Sequence, residues 1–225
     1  MSDATPRDDF DGAWMVKEYV HDPGGELIGT VSQRRLVEPA DTDRFRVTQH
    51  CSVSDELRDH PMIRFEGTWM FDLAIEGAQR HYLGPDVIGM GTQWAPGAMT
   101  GVGQWPRFGH DFESYAVLIA PDRQLTGGFF STAGQSFVDI IGIAVPEVLG
   151  VEPQLELTAG APDLDRDAWP VQRAVGPMRI GTAQATPNLR RRCWTMHDVL
   201  GGSTITIVET VDAGGVSTTI TAQPN

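Results

Sequence analysis

The sequence predicts an all-β protein, an antiparallel meander closed into a barrel with an internal cavity, on three observations. Apolar and polar residues alternate with period two in one segment after another. Twenty-five glycines and fifteen prolines punctuate the whole length. No long stretch carries a 3.6-residue apolar period. A β-sandwich is the alternative arrangement of the same strands.

Residues 1–10 hold no apolar run and read as a disordered tail, neither signal peptide nor anchor. Residues 13–20 form the first strand, and Pro23-Gly24-Gly25 turns the chain into a second at 27–37. There proline presets one turn dihedral and glycine accepts a positive φ. Residues 45–51 alternate again, with Phe45, Val47 and Cys51 set against Arg46, Thr48 and His50. A polar excursion over 54–61 precedes a long strand at 62–75, and Glu76-Gly77-Ala78 reverses it into 79–83. A glycine-heavy passage, 84–109, leads to strands at 112–120, 125–131 and 136–144. Residues 146–187 are the least regular, with an acidic stretch at 163–167; strands at 192–197, 204–211 and 216–221 close the chain. A 225-residue chain that is 40% hydrophobic supports one core, and no linker divides it, so 11–225 reads as a single barrel domain. About ten strands in sequence tend to close, because closure removes unpaired edges, and more than about eight leave an interior that side chains do not fill.

Gly12-Ala13-Trp14, at the start of the first strand, resembles the Gly-x-Trp signature of the lipocalin-like (calycin) barrels. A late arginine able to lie over that tryptophan, Arg191 or Arg192, is similar to a second feature of the group. The resemblance implies ligand binding inside a barrel and transfers no catalytic residue.

Charge narrows the partners. With 17 basic and 30 acidic side chains the net charge is −13, which repels phosphate backbones and anionic lipid; neither nucleic acid nor membrane is expected. Arg190, Arg191 and Arg192 read as a salt-bridged edge. No segment approaches the roughly 20 apolar residues that cross a bilayer. The expected location is the cytoplasm, with Cys51 and Cys193 as reduced, buried small hydrophobes; a disulfide between them and a homo-oligomer stay open.

The most unusual passage is 89–113, where Gln93-Trp94 is echoed by Gln104-Trp105. The echo suggests two strands of one hairpin presenting aromatic–amide pairs side by side. They would serve either as the wall of a pocket for a cyclic or aromatic ligand or as a plug in one barrel end. In the following strand, Asp111, Glu113 and Tyr115 share one face and His110, Phe112 and Ser114 the other. Glu113 and Tyr115 are the candidate general base and proton-donating phenol, and His110 takes their place if the opposite face points inward. Arg80 and Tyr82 also share a face; Arg80 would hold a carboxylate or enolate oxygen, or pair with Asp72 or Glu66.

The chain has no Cys-x-x-Cys, His-Glu-x-x-His, phosphate loop or Gly-x-Ser-x-Gly elbow, and its six histidines are scattered singly. No metal and no cofactor are therefore expected. The leading expectation is a cofactor-independent lyase, isomerase, cyclase or hydratase acting on a small hydrophobic or aromatic molecule by acid–base catalysis. The alternative is a non-catalytic carrier or sensor of a hydrophobic ligand or haem. Two or more ionisable groups converging in the cavity favour the enzyme; an apolar lining favours the carrier.

Overall fold

The structure, a computed structural model, describes the backbone of residues 9–158, 174–180, 190–212 and 215–224, and the side chains of 9–156 and 196–206. Ten strands close the barrel: β1 (Gly12–His21), β2 (Leu27–Asp41), β3 (Arg44–Val53), β4 (Gly67–Glu76), β5 (Gln79–Leu83), β6 (Ile88–Ala95), β7 (Ala98–Trp105), β8 (His110–Ala120), β9 (Arg123–Thr132) and β10 (Gln135–Pro146). Every neighbour pair is antiparallel, and β10 returns to pair with β1, which closes the ring. The glycine-heavy passage is itself wall, the hairpin β6–β7.

The ladders fix which side chains point inward, because cross-strand partners share a face. Trp14, Val16, Glu18 and Val20 of β1 stand opposite Arg35, Gln33, Val31 and Gly29 of β2. Gln49 of β3 then continues to Trp69 of β4, and Leu73 of β4 to Tyr82 of β5. The same face runs on through Gly101 of β7, Ser114 of β8, Gly128 of β9 and Ile140 of β10 to Val20 again. This face holds the buried Trp14, Val16, Val20 and Val31, so it is the interior.

Each end is closed differently. At one end, residues 62–65 do not extend β4 as the alternation suggested; they lie in a 3-10 turn, Pro61–Phe65. Proline opens the turn, the His60 ring accepts the Met62 N–H at 3.2 Å, and Met62 and Phe65, three residues apart, are both buried. Trp69 donates its indole N–H to the Phe65 carbonyl at 2.9 Å, and Phe65, Trp105 and Phe108 complete an aromatic plug. At the other end, Trp14 donates to the carbonyls of Phe10 (3.2 Å) and Asp11 (3.1 Å). Asp9 accepts from the Gln93 amide (2.7 Å) and the Gly97 N–H (2.6 Å), so the last residues of the expected tail are tied across the barrel mouth.

The chain from Pro153 forms a second compact unit. Its strands β11 (Leu155–Thr158), β12 (Ala174–Ile180), β13 (Arg190–Asp198), β14 (Ser203–Asp212) and β15 (Gly215–Pro224) make an antiparallel sheet in the order β11-β13-β14-β15-β12. Within it Met196 and Ile205 are fully buried. Period-two alternation is common to the strands of both units; β10 pairs with β1 to close the ten-stranded barrel, and β11 to β15 pair among themselves in the second sheet. The side chains of Arg191, Arg192 and Cys193 lie outside the described residues. Among the described residues, no helix is long and apolar enough to cross a bilayer.

Candidate functional site

The barrel encloses a cavity of about 230 Å³. Its lower wall is aromatic: Phe65, Trp69, Trp105 and Phe130 border it above the plug. Two interior glycines let large rings lie flat against the β6–β7 wall. A Cβ at Gly101 would fall 2.6 Å from the Tyr82 hydroxyl, and one at Gly103 would fall 2.7 Å from the Phe112 ring.

A polar belt crosses the middle of the cavity, built from Glu18, Gln33, Arg35, Gln124 and Thr126. Glu18 sits over Gly142, where an added Cβ would meet Glu18 Cγ and Thr126 Oγ1 at 2.7 Å each. Gln33 donates to Glu18 Oε2 at 2.6 Å, and Arg35 donates to the Gln124 side-chain oxygen. Glu18 and Arg35 act on one another through space with no direct ion pair between them. Burial pushes the Glu18 carboxyl up to about 7, against the opposing pull of the Gln33 hydrogen bond and the Arg35 charge. Burial also lowers the Arg35 guanidinium, which Glu18 and Tyr82 counteract. Cys51, a free thiol on the same wall, is pushed up to about 12 by burial and by Glu18. Among the described residues, no three His, Cys, Asp or Glu side chains come together as a metal site.

The residues singled out from sequence divide across the sheet. Tyr82 and Trp105 face the cavity. Trp105 does so from within the plug, edge-on to Phe65 at 5.1 Å and to Trp69 at 5.7 Å, so wall and plug are one structure. Trp94 points outward, 60% exposed, with its indole N–H on Thr100 Oγ1 at 2.7 Å. Gln104 also points outward and donates to Asp111 Oδ1 at 2.7 Å. The Gln-Trp echo thus does lie on one hairpin, but its copies are eleven residues apart. That odd spacing puts Gln93 and Trp105 inside and Trp94 and Gln104 outside.

Arg80 lines the cavity, but its guanidinium donates to the carbonyls of Gly77 (3.0 Å) and Gln79 (3.2 Å) and to the Gln93 side chain, which draws it to the rim. On β8, residues 112–116 border the cavity, and the register gives its interior to Phe112, Ser114 and Ala116. Glu113 and Tyr115, expected to share the cavity face, stand on the outer face instead. The Tyr115 ring lies across Gly127, where a Cβ would fall 2.3 Å from its hydroxyl. Both are shielded from solvent there: Tyr115 is buried, and desolvation pushes Glu113 up to about 7. His110 points inward but below the cavity, beside Phe137 at 4.7 Å and Phe65 at 6.3 Å, with Nδ1 2.9 Å from Thr132 Oγ1. Burial first, and then the Arg64 charge, lower its pKa.

Sequence reasoning passed over Glu18, Gln33, Arg35 and Gln124. The signal was present: Glu18 interrupts the apolar face Trp14-x-Val16-x-Glu18-x-Val20, and Gln33 and Arg35 interrupt Val31-x-x-x-x-x-Val37.

No family model and no curated protein matches the chain. Among solved structures, it is similar to the S-type phycobiliprotein lyase CPES from Guillardia theta, at 13% identity over 60% of this chain and 86% of that one, with a TM-score of 0.44. It is also similar to a protein of unknown function from the DUF3598 family of Nostoc punctiforme, at 15% identity over 64% and 52%, with a TM-score of 0.47. A third is EF1p2_mFAP2b bound to DFHBI, at 13% identity over 61% and 94%, with a TM-score of 0.36. The resemblance to lipocalin-like barrels holds at the level of fold. Gly12-Ala13-Trp14 opens β1, and Trp14 seals one end of a closed ten-stranded meander.

Proposed function

We propose that the barrel is a chamber that binds a small hydrophobic or aromatic molecule with one polar end. The observation that carries this reading is the division of the cavity into an aromatic floor, with Trp69 and Trp105, and a polar belt of Glu18, Gln33 and Arg35. Interior side chains that are only half-buried, among them Glu18, Arg35, Tyr82 and Ser114, border open space inside the barrel rather than a filled core. Two ionisable groups, Glu18 and Arg35, converge on that space, which favours side-chain acid–base chemistry on the bound molecule over passive carriage.

Tryptophan fluorescence tests the binding step, with phenylacetone as the probe and Trp94→Phe as the background, because exposed Trp94 is quenched by simple collision. Saturable quenching is expected. Ser114→Leu, which adds side-chain volume inside the cavity, is expected to weaken it about tenfold or more, the loss of roughly 1.4 kcal/mol. Quenching that never saturates, or that Ser114→Leu leaves unchanged, counts against the chamber.

A further inference from the structure

We propose that Glu18 and Arg35 form a proton-transfer site for small carbonyl compounds that carry an acidic C–H beside the carbonyl, Glu18 taking the proton and Arg35 holding the oxygen. This rests on the chamber reading and adds a substrate class and a chemical step to it.

The geometry points to this division of labour. Glu18 has one oxygen, Oε2, held by the Gln33 amide at 2.6 Å, while Oε1 has no hydrogen bond among the described residues. The carboxylate is therefore oriented by one atom and available by the other. Arg35 reaches the cavity from the neighbouring strand and makes one side-chain hydrogen bond, to Gln124, out of five possible N–H donors. The gap between the two groups, bridged by no ion pair, is where a ligand's C–H and C=O would stand. A base and a separate cation in a desolvated cavity are what deprotonation next to a carbonyl requires.

The step balances without any further reactant. A Glu18 oxygen accepts the proton, the C–H electron pair becomes a C=C bond, and the carbonyl π pair moves to oxygen as an enolate facing Arg35. Return of the proton to the same carbon gives exchange; return to a conjugated carbon gives isomerisation. The groups facing Glu18 leave it as the base. Gly142 of β10, Thr126 of β9 and Ser114 of β8 do not titrate in the working range, and Cys51 of β3 stays a thiol. Tyr82 of β5 lies across Gly91 and Gly101, and Arg80 is drawn to the rim. Gln33 and Arg35 of β2 supply the amide and the cation. With Glu18 pushed up to about 7, the ionised base forms as pH rises through neutrality.

Deuterium exchange into the benzylic position of phenylacetone, followed by proton NMR in heavy water, reads the step directly. Exchange with the wild-type protein is expected to exceed buffer about tenfold or more and to rise with pH to a plateau above about 7. Glu18→Gln is expected to lower the protein-dependent rate by about 10²-fold or more, with saturable quenching by phenylacetone kept within about threefold. Arg35→Met is expected to cost about 10²-fold in the same rate. Saturable binding with exchange no faster than buffer overturns the proposal and leaves the chamber standing, as does a Glu18→Gln rate equal to wild type. Absence of saturable binding overturns both. If Glu18→Gln does not fold, the wild-type profile decides: a rate that does not change between about pH 5 and about pH 9 overturns the assignment of the base.

Discussion

Trp105→Ala is expected to lower the stability of the barrel by about 3–5 kcal/mol, the usual cost of deleting a buried large aromatic. Trp94→Ala, in the same Gln-Trp dipeptide eleven residues earlier, is expected to cost about 0.5 kcal/mol or less. Trp105 is 8% exposed and meets Phe65, Trp69 and Phe108 as one aromatic cluster. Trp94 is 60% exposed, and its hydrogen bond to Thr100 lies on the outer face. Urea midpoints of the two variants check the pair; similar losses would contradict the assignment of faces on β6 and β7.

The second large effect concerns Glu18 and the pH dependence of stability. Its carboxyl is pushed up to about 7 in the fold, whereas an unfolded chain releases the same proton near pH 4.3 or so. Between those values the folded state holds a proton that the unfolded state has lost, so stability is full below the unfolded pKa. It declines as pH rises through the folded pKa. Glu18→Gln removes the titration and is expected to stabilise the protein by about 1–3 kcal/mol at pH 8, with no gain at pH 4. Loss of the charge facing Arg35 pulls the gain toward the lower end. Glu113→Gln acts in the same direction, because Glu113 is also pushed up to about 7, but less, because its burial is less complete than that of Glu18. Thermal midpoints at the two pH values measure both; a gain at pH 4 equal to that at pH 8 would rule out the desolvated carboxylate.

Much of the fold was legible because a strand writes its period into the chain. The turn at Pro23-Gly24-Gly25 and the runs that became β1, β2, β3, β8, β9 and β10 follow from alternation and turn chemistry alone. Two features were not legible. Met62 and Phe65 are apolar and continuous with β4, and only their packing beneath the barrel end distinguishes a 3-10 turn from more strand. Strands of the second sheet alternate like those of the first, so only the pairing of β10 with β1 reveals where the barrel stops.

The site was harder because it depends on parity, and a single residue reverses it. Both faces of β8 carry apolar and polar residues: Phe112, Ser114 and Ala116 on one, Glu113, Tyr115 and Val117 on the other. With Tyr115 and Val117 buried on the outer face as well, neither composition nor burial separates the two sides of this strand. The ladder does, since Ser114 is aligned with Gly101 and Gly128, and the interior closes consistently around all ten strands. On β1 the same parity argument needs no ladder. The face with Trp14, Val16 and Val20 can only be the core, and a carboxylate at Glu18 on that face is the clue.

A crystal structure of the protein with phenylacetone tests the central claim, that ligand chemistry belongs to the interior face bearing Glu18 and Arg35. The expected result is ligand density inside the barrel, with the aromatic ring over Trp105, the carbonyl oxygen within hydrogen-bond reach of Arg35 and the benzylic carbon against Glu18. The contradicting result is an interior filled by side chains, with Glu113 and Tyr115 turned inward in place of Phe112 and Ser114, or a ligand seated only on the outer face of β8.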